Sequence, residues 1–274
     1  MDVETTRRME AAWRARYGAA APAAMPWNET IAGLLAHRSV RAYRGDPLAP
    51  GTLEALAAAA QSAPTSSNMQ AWSLVAVTEA ATKRELARLA AGQKHIEECP
   101  LFLVFLADLS RAERLAGREG VRLENLAYLE TFLVAAFDAA FAAENALVAA
   151  ESLGLSTVYI GALRNRPEAV AALLGLPGNS VALFGLCVGH ADEPRVPNGV
   201  RPRLPQAAVV HCERYDAAKE ADLVAAYDRT FAASPNGGPR GWTARVCDRF
   251  GPLAALAGRE TLKGTLRRLG FPLA

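Results

Sequence analysis

Two short runs of this chain concentrate the groups that bind oxyanions and polar rings. His37-Arg38-Ser39-Val40-Arg41 places an imidazole, two guanidiniums and a hydroxyl within five successive positions. The planar fork of arginine matches phosphate oxygens bidentately. In an extended chain, Ser39 and Arg41 share one side while Arg38 faces the other. A basic run at a helix end is also what a solvated C-terminus looks like, so this run alone does not make a site. The second run, Thr65-Ser66-Ser67-Asn68-Met69-Gln70, is a row of hydroxyls and amides between a helix and a strand. Such a row suits the edge of a polar heterocycle or a polyol chain, and equally a well-capped loop. Gly161 follows the apolar segment Val158-Tyr159-Ile160, where a missing side chain lets a flat ring approach the backbone.

Several other chemistries lack their residues. No Gly-x-Gly-x-x-Gly follows a strand, and neither a P-loop nor a His-Glu-x-x-His pair occurs. Cys99, Cys187, Cys212 and Cys247 are far apart with no Cys-x-x-Cys, so they read as reduced, mostly buried thiols rather than metal ligands or a disulfide framework. No metal role is assigned to any histidine. With 30 Lys and Arg against 28 Asp and Glu, the net charge of +2 gives no electrostatic case for nucleic acid or a membrane surface. A hydrophobic content of 51% over 274 residues supports a sizeable core. The N-terminal residues mix acids with arginines and lack the apolar centre of a secretory signal, so the expected location is cytoplasmic.

The elements that must position these groups follow from periodicity and punctuation. Residues 1–17 read as a short polar helix, and the Ala- and Pro-rich stretch to residue 26 as a linker or loosely attached arm. Asn28 is an N-cap before the apolar set Ile31, Leu34 and Leu35. A helix is expected over 51–61 and core strands over 72–78, 101–107, 157–163 and 181–188. The alanine-rich stretch 123–153 predicts one long buried helix. Glu130, Asp138, Glu144 and Glu151 interrupt it and argue against a membrane span. Asn165 and Glu168 stand at capping-box spacing before a helix over 167–174, and another helix covers 216–232. Trp72, Phe132, Phe137 and Phe141 read as core aromatics, and His190 and His211 as surface or capping residues. After Ser234 the run Pro235-Asn236-Gly237-Gly238-Pro239 breaks the chain before a basic helix. Irregularly interleaved strands and helices indicate an α+β fold in one domain over 27–274, with an extension from about 234.

The ordered motifs HRSVRAY, APTSSNMQAWS, GQKH, NALVAAESLGLSTVYIGALRN, LFGLCVGH and RPRLP together resemble the nitroreductase superfamily, and most of all its NADPH-dependent, oxygen-insensitive nitroreductase and flavin reductase branch. The likeness runs from about Ile31 to His211. It implies a central, mainly antiparallel sheet flanked by helices in an intertwined homodimer. It further implies FMN at the subunit interface and two-electron ping-pong transfer from NADPH or NADH to nitroaromatic, quinone or flavin-type acceptors. By the same resemblance His37, Arg38, Ser39 and Arg41 anchor FMN. Thr65, Ser66 and Ser67 match the hydroxyl loop, Gln93 the glutamine at the flavin ring, and Tyr159, Ile160 and Gly161 the backbone stretch against it. Arg201 and Arg203 match a basic pair that is Lys and Arg in the family, so Arg201 replaces a lysine. Ala162 stands where a second glycine is usual, which bears on acceptor range.

If the flavin does the redox chemistry, no nucleophile or dedicated general base is needed. Arg41 is then the candidate to stabilise the charge of the reduced ring. Arg240 matches an arginine that binds the 2′-phosphate of NADPH, and His95 is a candidate for lining the acceptor side. Two other readings of the same fold are a non-catalytic flavin-binding or storage protein and a reductase or dehalogenase of one metabolite.

Overall fold

The computed structural model describes residues 2–197, 199–218 and 220–274. Its helices are α1 (Val3–Tyr17), α2 (Glu29–Ala36), α3 (Thr52–Gln61), α4 (Ala80–Leu89), α5 (His95–Glu98), α6 (Ser110–Glu119), α7 (Leu129–Ser152), α8 (Pro167–Leu174), α9 (Glu220–Ala233), α10 (Gly241–Phe250) and α11 (Leu262–Arg268). The strands are β1 (Trp72–Val77), β2 (Leu101–Asp108), β3 (Ser156–Ile160) and β4 (Ser180–Gly189). The chain divides into a first unit, Met1–Arg38 with Arg195–Leu256, and a second, Ser39–Pro194 with Ala257–Ala274.

The second unit is built on a four-stranded sheet of order β1-β2-β4-β3, antiparallel at every pairing. The central strands β2 and β4 read as apolar runs because both of their faces are covered, and every residue of β2 is buried. On one face Leu101, Leu103, Phe105 and Ala107 meet Ala135, Ala139, Ala142, Ala143, Ala146 and Ala150 of α7. Alanine suits that stripe because its small side chain lets the helix axis lie close to the strands while retaining high helix propensity. Where β2 and β4 pair, Gly185 leaves room for the Phe102 ring: a Cβ there would lie 2.1 Å from the ring carbon Cζ.

Several expectations change here. The long helix does not begin at 123: residues 124–127 form a separate tight turn and Tyr128 is extended (φ −96°, ψ 149°), so α7 starts at Leu129. By length and hydropathy α7 meets the criterion for a membrane span, yet its alanine stripe is seated on the sheet as in a core helix. Phe137 and Phe141 are not core residues: they are 55% and 51% exposed on the opposite face of α7, whereas Trp72 is buried. The strand expected over 157–163 ends at Ile160, and Gly161–Asn165 closes into a helical turn. The Asn165–Glu168 capping box does not form. Arg166 occupies the N-cap, the Asn165 Oδ1 is buried without a hydrogen-bond partner, and Glu168 pairs with Arg268 at 2.6 Å. The cysteines split evenly, with Cys99 and Cys187 buried and Cys212 and Cys247 exposed.

In the first unit α1 is a cooperative helix, N-capped by Asp2 accepting from the Thr5 N–H and closed by Gly18 in the left-handed conformation (φ 68°). Met9, Trp13 and Arg16 form its buried face. The α9 aromatics Tyr227 and Phe231 are also buried, and the Arg245 guanidinium lies 5.0 Å from the Phe231 ring centroid. The helix expected to be short and polar therefore carries a buried charge, Arg16.

Candidate functional site

The basic motif begins where α2 stops. Asn28 accepts from the Ile31 N–H at 2.9 Å and opens the helix, and His37 is its C-cap, with extended backbone that turns the chain into the motif. Helix ends leave carbonyls unsatisfied and carry a partial negative charge. Here Arg16, only 3% exposed, supplies the donors. Its Nε reaches the Leu35 carbonyl at 3.1 Å and its Nη2 the Leu35 and His37 carbonyls at 2.5 and 2.8 Å. The same guanidinium donates from Nη1 to the Arg201 carbonyl at 2.7 Å, and the Arg16 carbonyl accepts from the Arg203 N–H at 2.8 Å. The Tyr227 hydroxyl donates to the Pro202 carbonyl at 2.8 Å. The first unit thus brings His37 and the Arg201–Arg203 segment together around one guanidinium. Burial raises the Tyr227 pKa above its ordinary value, while Arg203, Arg201, Arg245 and Arg16 act in the opposite direction and mark the local excess of positive charge.

In the second unit Ser39 makes a parallel bridge to Thr157, and the Val40 N–H donates to the Thr157 carbonyl at 2.9 Å. Val40 and Ala42 are buried, so Ser39 and Arg41 are both presented on the exposed side, as the alternation of an extended chain requires. The Tyr43 hydroxyl donates to the Val40 carbonyl at 2.9 Å and holds this strand from beneath.

The hydroxyl loop, 65–70, is a tight turn in which Ser67, Asn68 and Gln70 all have positive φ (49°, 57° and 49°). Positive φ in non-glycine residues is unfavourable and persists where surrounding contacts enforce it. The enforcing group is Asp138 of α7, 1% exposed, whose carboxylate oxygens accept from the Ser66 N–H and the Ala71 N–H, each at 3.0 Å. Thr65, Ser66 and Ser67 are thereby tied to the same helix that seats the sheet.

Gln93 follows Ala91 and Gly92, both at positive φ, and its carbonyl accepts from the Ile96 N–H at 3.0 Å, opening α5. His95 stands two residues on, with its Nε2 buried and lacking a hydrogen-bond partner. Burial lowers its pKa first, the nearby Arg41 charge lowers it further, and Glu98 opposes. Arg41 and His95 are thus electrostatic neighbours. Gly161 heads the turn after β3, where a Cβ would lie 3.2 Å from the Arg164 guanidinium. Ile160 is buried and Ala162 half-buried. The Tyr159 hydroxyl donates to Glu144 at 3.2 Å, and burial, with Glu144 next, holds its pKa above the ordinary range.

Arg240, the N-cap of α10, is exposed and ion-paired with Asp248, and with Arg245 and Arg249 it lines a hollow of about 410 Å³. The sequence reading missed Arg16, Asp138 and Tyr227. Asp138 had a signal: an acid on the alanine face of a buried helix demands a partner. Arg16 had none, since its contact with Arg201 spans 185 positions. Among the described residues no group of three or more His, Cys, Asp or Glu side chains is placed to hold a metal.

Residues 34–190 match the model of the nitroreductase family, and residues 201–274 match that of the nitroreductase family C-terminal domain. The chain is 42% identical over 190 residues to an FMN reductase (NADPH) of Bacillus subtilis, covering 69% of this chain and 75% of that protein. It is 40% identical over 204 residues to an oxygen-insensitive NADPH nitroreductase of Salmonella typhimurium, covering 74% and 81%. A hypothetical oxidoreductase from Bacillus subtilis has the same fold, with a TM-score of 0.84 and 35% identity over 90% of this chain and 99% of that one.

Proposed function

We infer function from membership: the chain belongs to the nitroreductase family, and it is an FMN-dependent NAD(P)H oxidoreductase acting on small-molecule acceptors. The observation that carries the assignment of individual residues is the match between donor sets and the parts of FMN. The positively charged corner of the first unit, with His37, Arg38, Arg201 and Arg203, suits the phosphate. Ser39 and Arg41, the Thr65, Ser66 and Ser67 loop and Gln93 offer hydroxyl, guanidinium and amide groups to a polyol and a polar ring edge. The backbone at Tyr159, Ile160, Gly161 and Ala162 would line the ring, with the Arg164 guanidinium beside the glycine.

The redox chemistry is the flavin's own. The residues of this chain bind and orient. His37, Arg38, Arg201 and Arg203 hold the phosphate, and the loop pinned by Asp138 presents its hydroxyls at fixed positions. Arg41 would supply positive charge to stabilise the negative charge of a reduced flavin. Burial and then the Arg41 charge lower the His95 pKa, so both oppose a second cation beside Arg41. Arg240 is the residue for the 2′-phosphate of NADPH, which must displace or share Asp248. The active form is a homodimer in which the exposed Phe137 and Phe141 face of α7, together with Leu129 and Tyr159, meets a second copy; an apolar surface of this kind is otherwise hard to leave in water.

Steady-state kinetics test the reading. Oxidation of NADPH with a quinone or nitroaromatic acceptor is expected to give parallel double-reciprocal lines, and an Arg41→Gln enzyme is expected to keep FMN but to be reduced more slowly. A protein that binds FMN yet turns over with neither nicotinamide would instead be a storage protein.

A further inference from the structure

We propose that Arg16, in the N-terminal helix that precedes the region matched by the family model, is a positioning residue for the FMN phosphate. It would set the backbone from which His37, Arg38, Arg201 and Arg203 reach that group. The proposal rests on the reading of those four residues as phosphate anchors.

Residues 201–203 are held at three successive backbone polar groups: the Arg201 carbonyl accepts from Arg16, the Pro202 carbonyl accepts from Tyr227, and the Arg203 N–H donates to the Arg16 carbonyl. The guanidinium that holds the Arg201 carbonyl also holds the Leu35 and His37 carbonyls. Both phosphate-binding segments therefore take their positions from one planar group, whose fork fixes the directions of its donors.

The end of α2 is a helix C-terminus, whose exposed carbonyls repel an anion. A phosphate beside His37 and Arg38 needs those carbonyls neutralised. Arg16 does so from a site that is 3% exposed, where solvent screens the charge poorly. Lysine could not replace it fully, because a point charge with three donors cannot span carbonyls on two chain segments in one plane.

The test compares FMN with riboflavin, which lacks the phosphate, on the full-length chain freed of flavin and titrated by fluorescence quenching. Wild type is expected to prefer FMN strongly. Arg16→Gln and Arg16→Lys are each expected to weaken FMN by about tenfold or more, the scale of one charge-assisted hydrogen bond, with riboflavin affinity unchanged. A purely structural role would lower both affinities together, and that result, or an unchanged preference for FMN, overturns the proposal. Should Arg16→Gln fail to fold, Arg16→Lys, which keeps the buried charge, decides on the same two criteria. Arg203→Gln separates the two levels. A wild type indifferent to the phosphate overturns the anchor reading and this proposal with it, whereas a preference lost in Arg203→Gln but kept in both Arg16 variants overturns the role of Arg16 alone.

Discussion

Replacing Asp138 by asparagine exchanges one carboxylate oxygen for an NH₂ group at nearly constant volume. The carboxylate now accepts two backbone N–H groups, from Ser66 and Ala71, each at 3.0 Å. An amide side chain has one oxygen, so it keeps one of these bonds and turns an NH₂ group toward the other N–H. Losing one charge-assisted hydrogen bond costs roughly 1.5–3 kcal/mol. Because Ser66 and its neighbours are exposed, water can reach the orphaned N–H, and the low end, about 2 kcal/mol, is the expected figure. For a chain of this size that corresponds to a fall in Tm of roughly 4 °C. The local effect is larger than the global one, since Ser67, Asn68 and Gln70 sit at positive φ with this carboxylate as the constraint. The loop is therefore expected to relax and flavin to be retained poorly. Thermal denaturation followed by circular dichroism, with the flavin-to-protein absorbance ratio measured on the same sample, checks both. An Asp138→Asn protein with unchanged Tm and full flavin content would refute the reasoning.

Other positions give equally direct expectations. Gly185→Ala pushes a methyl to within 2.1 Å of the Phe102 ring carbon Cζ in a fully buried contact; a loss of about 1–3 kcal/mol is expected in chemical denaturation, with partial recovery when Phe102→Leu is added. His95 has a folded-state pKa below its ordinary 6.5. The unfolded chain therefore takes up the proton first, and stability should fall as pH drops through about 6.5 toward the folded value. The pH dependence of Tm should flatten on that acid side in His95→Gln. Phe141→Glu, on the exposed face of α7, is expected to shift the protein to a monomer in analytical ultracentrifugation and to release flavin; an intact dimer would place the interface elsewhere.

How much of this was legible beforehand depended on whether the deciding contact was local. Strands β1, β2 and β4 are apolar runs closed by turn residues, and Pro167 at the first position of α8 marks that helix outright. The boundary at Tyr128 was not visible, because residues 123–153 are rich in alanine and leucine with no Gly or Pro, and the break lies in the extended Tyr128. Phe137 and Phe141 were misread because their spacing was taken as that of a buried face. The packing face of α7 is instead its alanine stripe, which only small side chains can bring close to the sheet, and the phenylalanines fall on the opposite side. The basic, hydroxyl and glycine runs of the candidate site were visible from residue types. Their supports were not: Asp138 acts on a loop 72 positions away and Arg16 on a segment 185 positions away.

The visible absorbance spectrum of the purified protein, recorded anaerobically before and after NADPH and then NADH are added, tests the central claim most directly. A flavin band that bleaches on addition of the nicotinamide is the predicted result. A chain that takes up no flavin on reconstitution, or whose flavin band persists with both donors, would contradict the account.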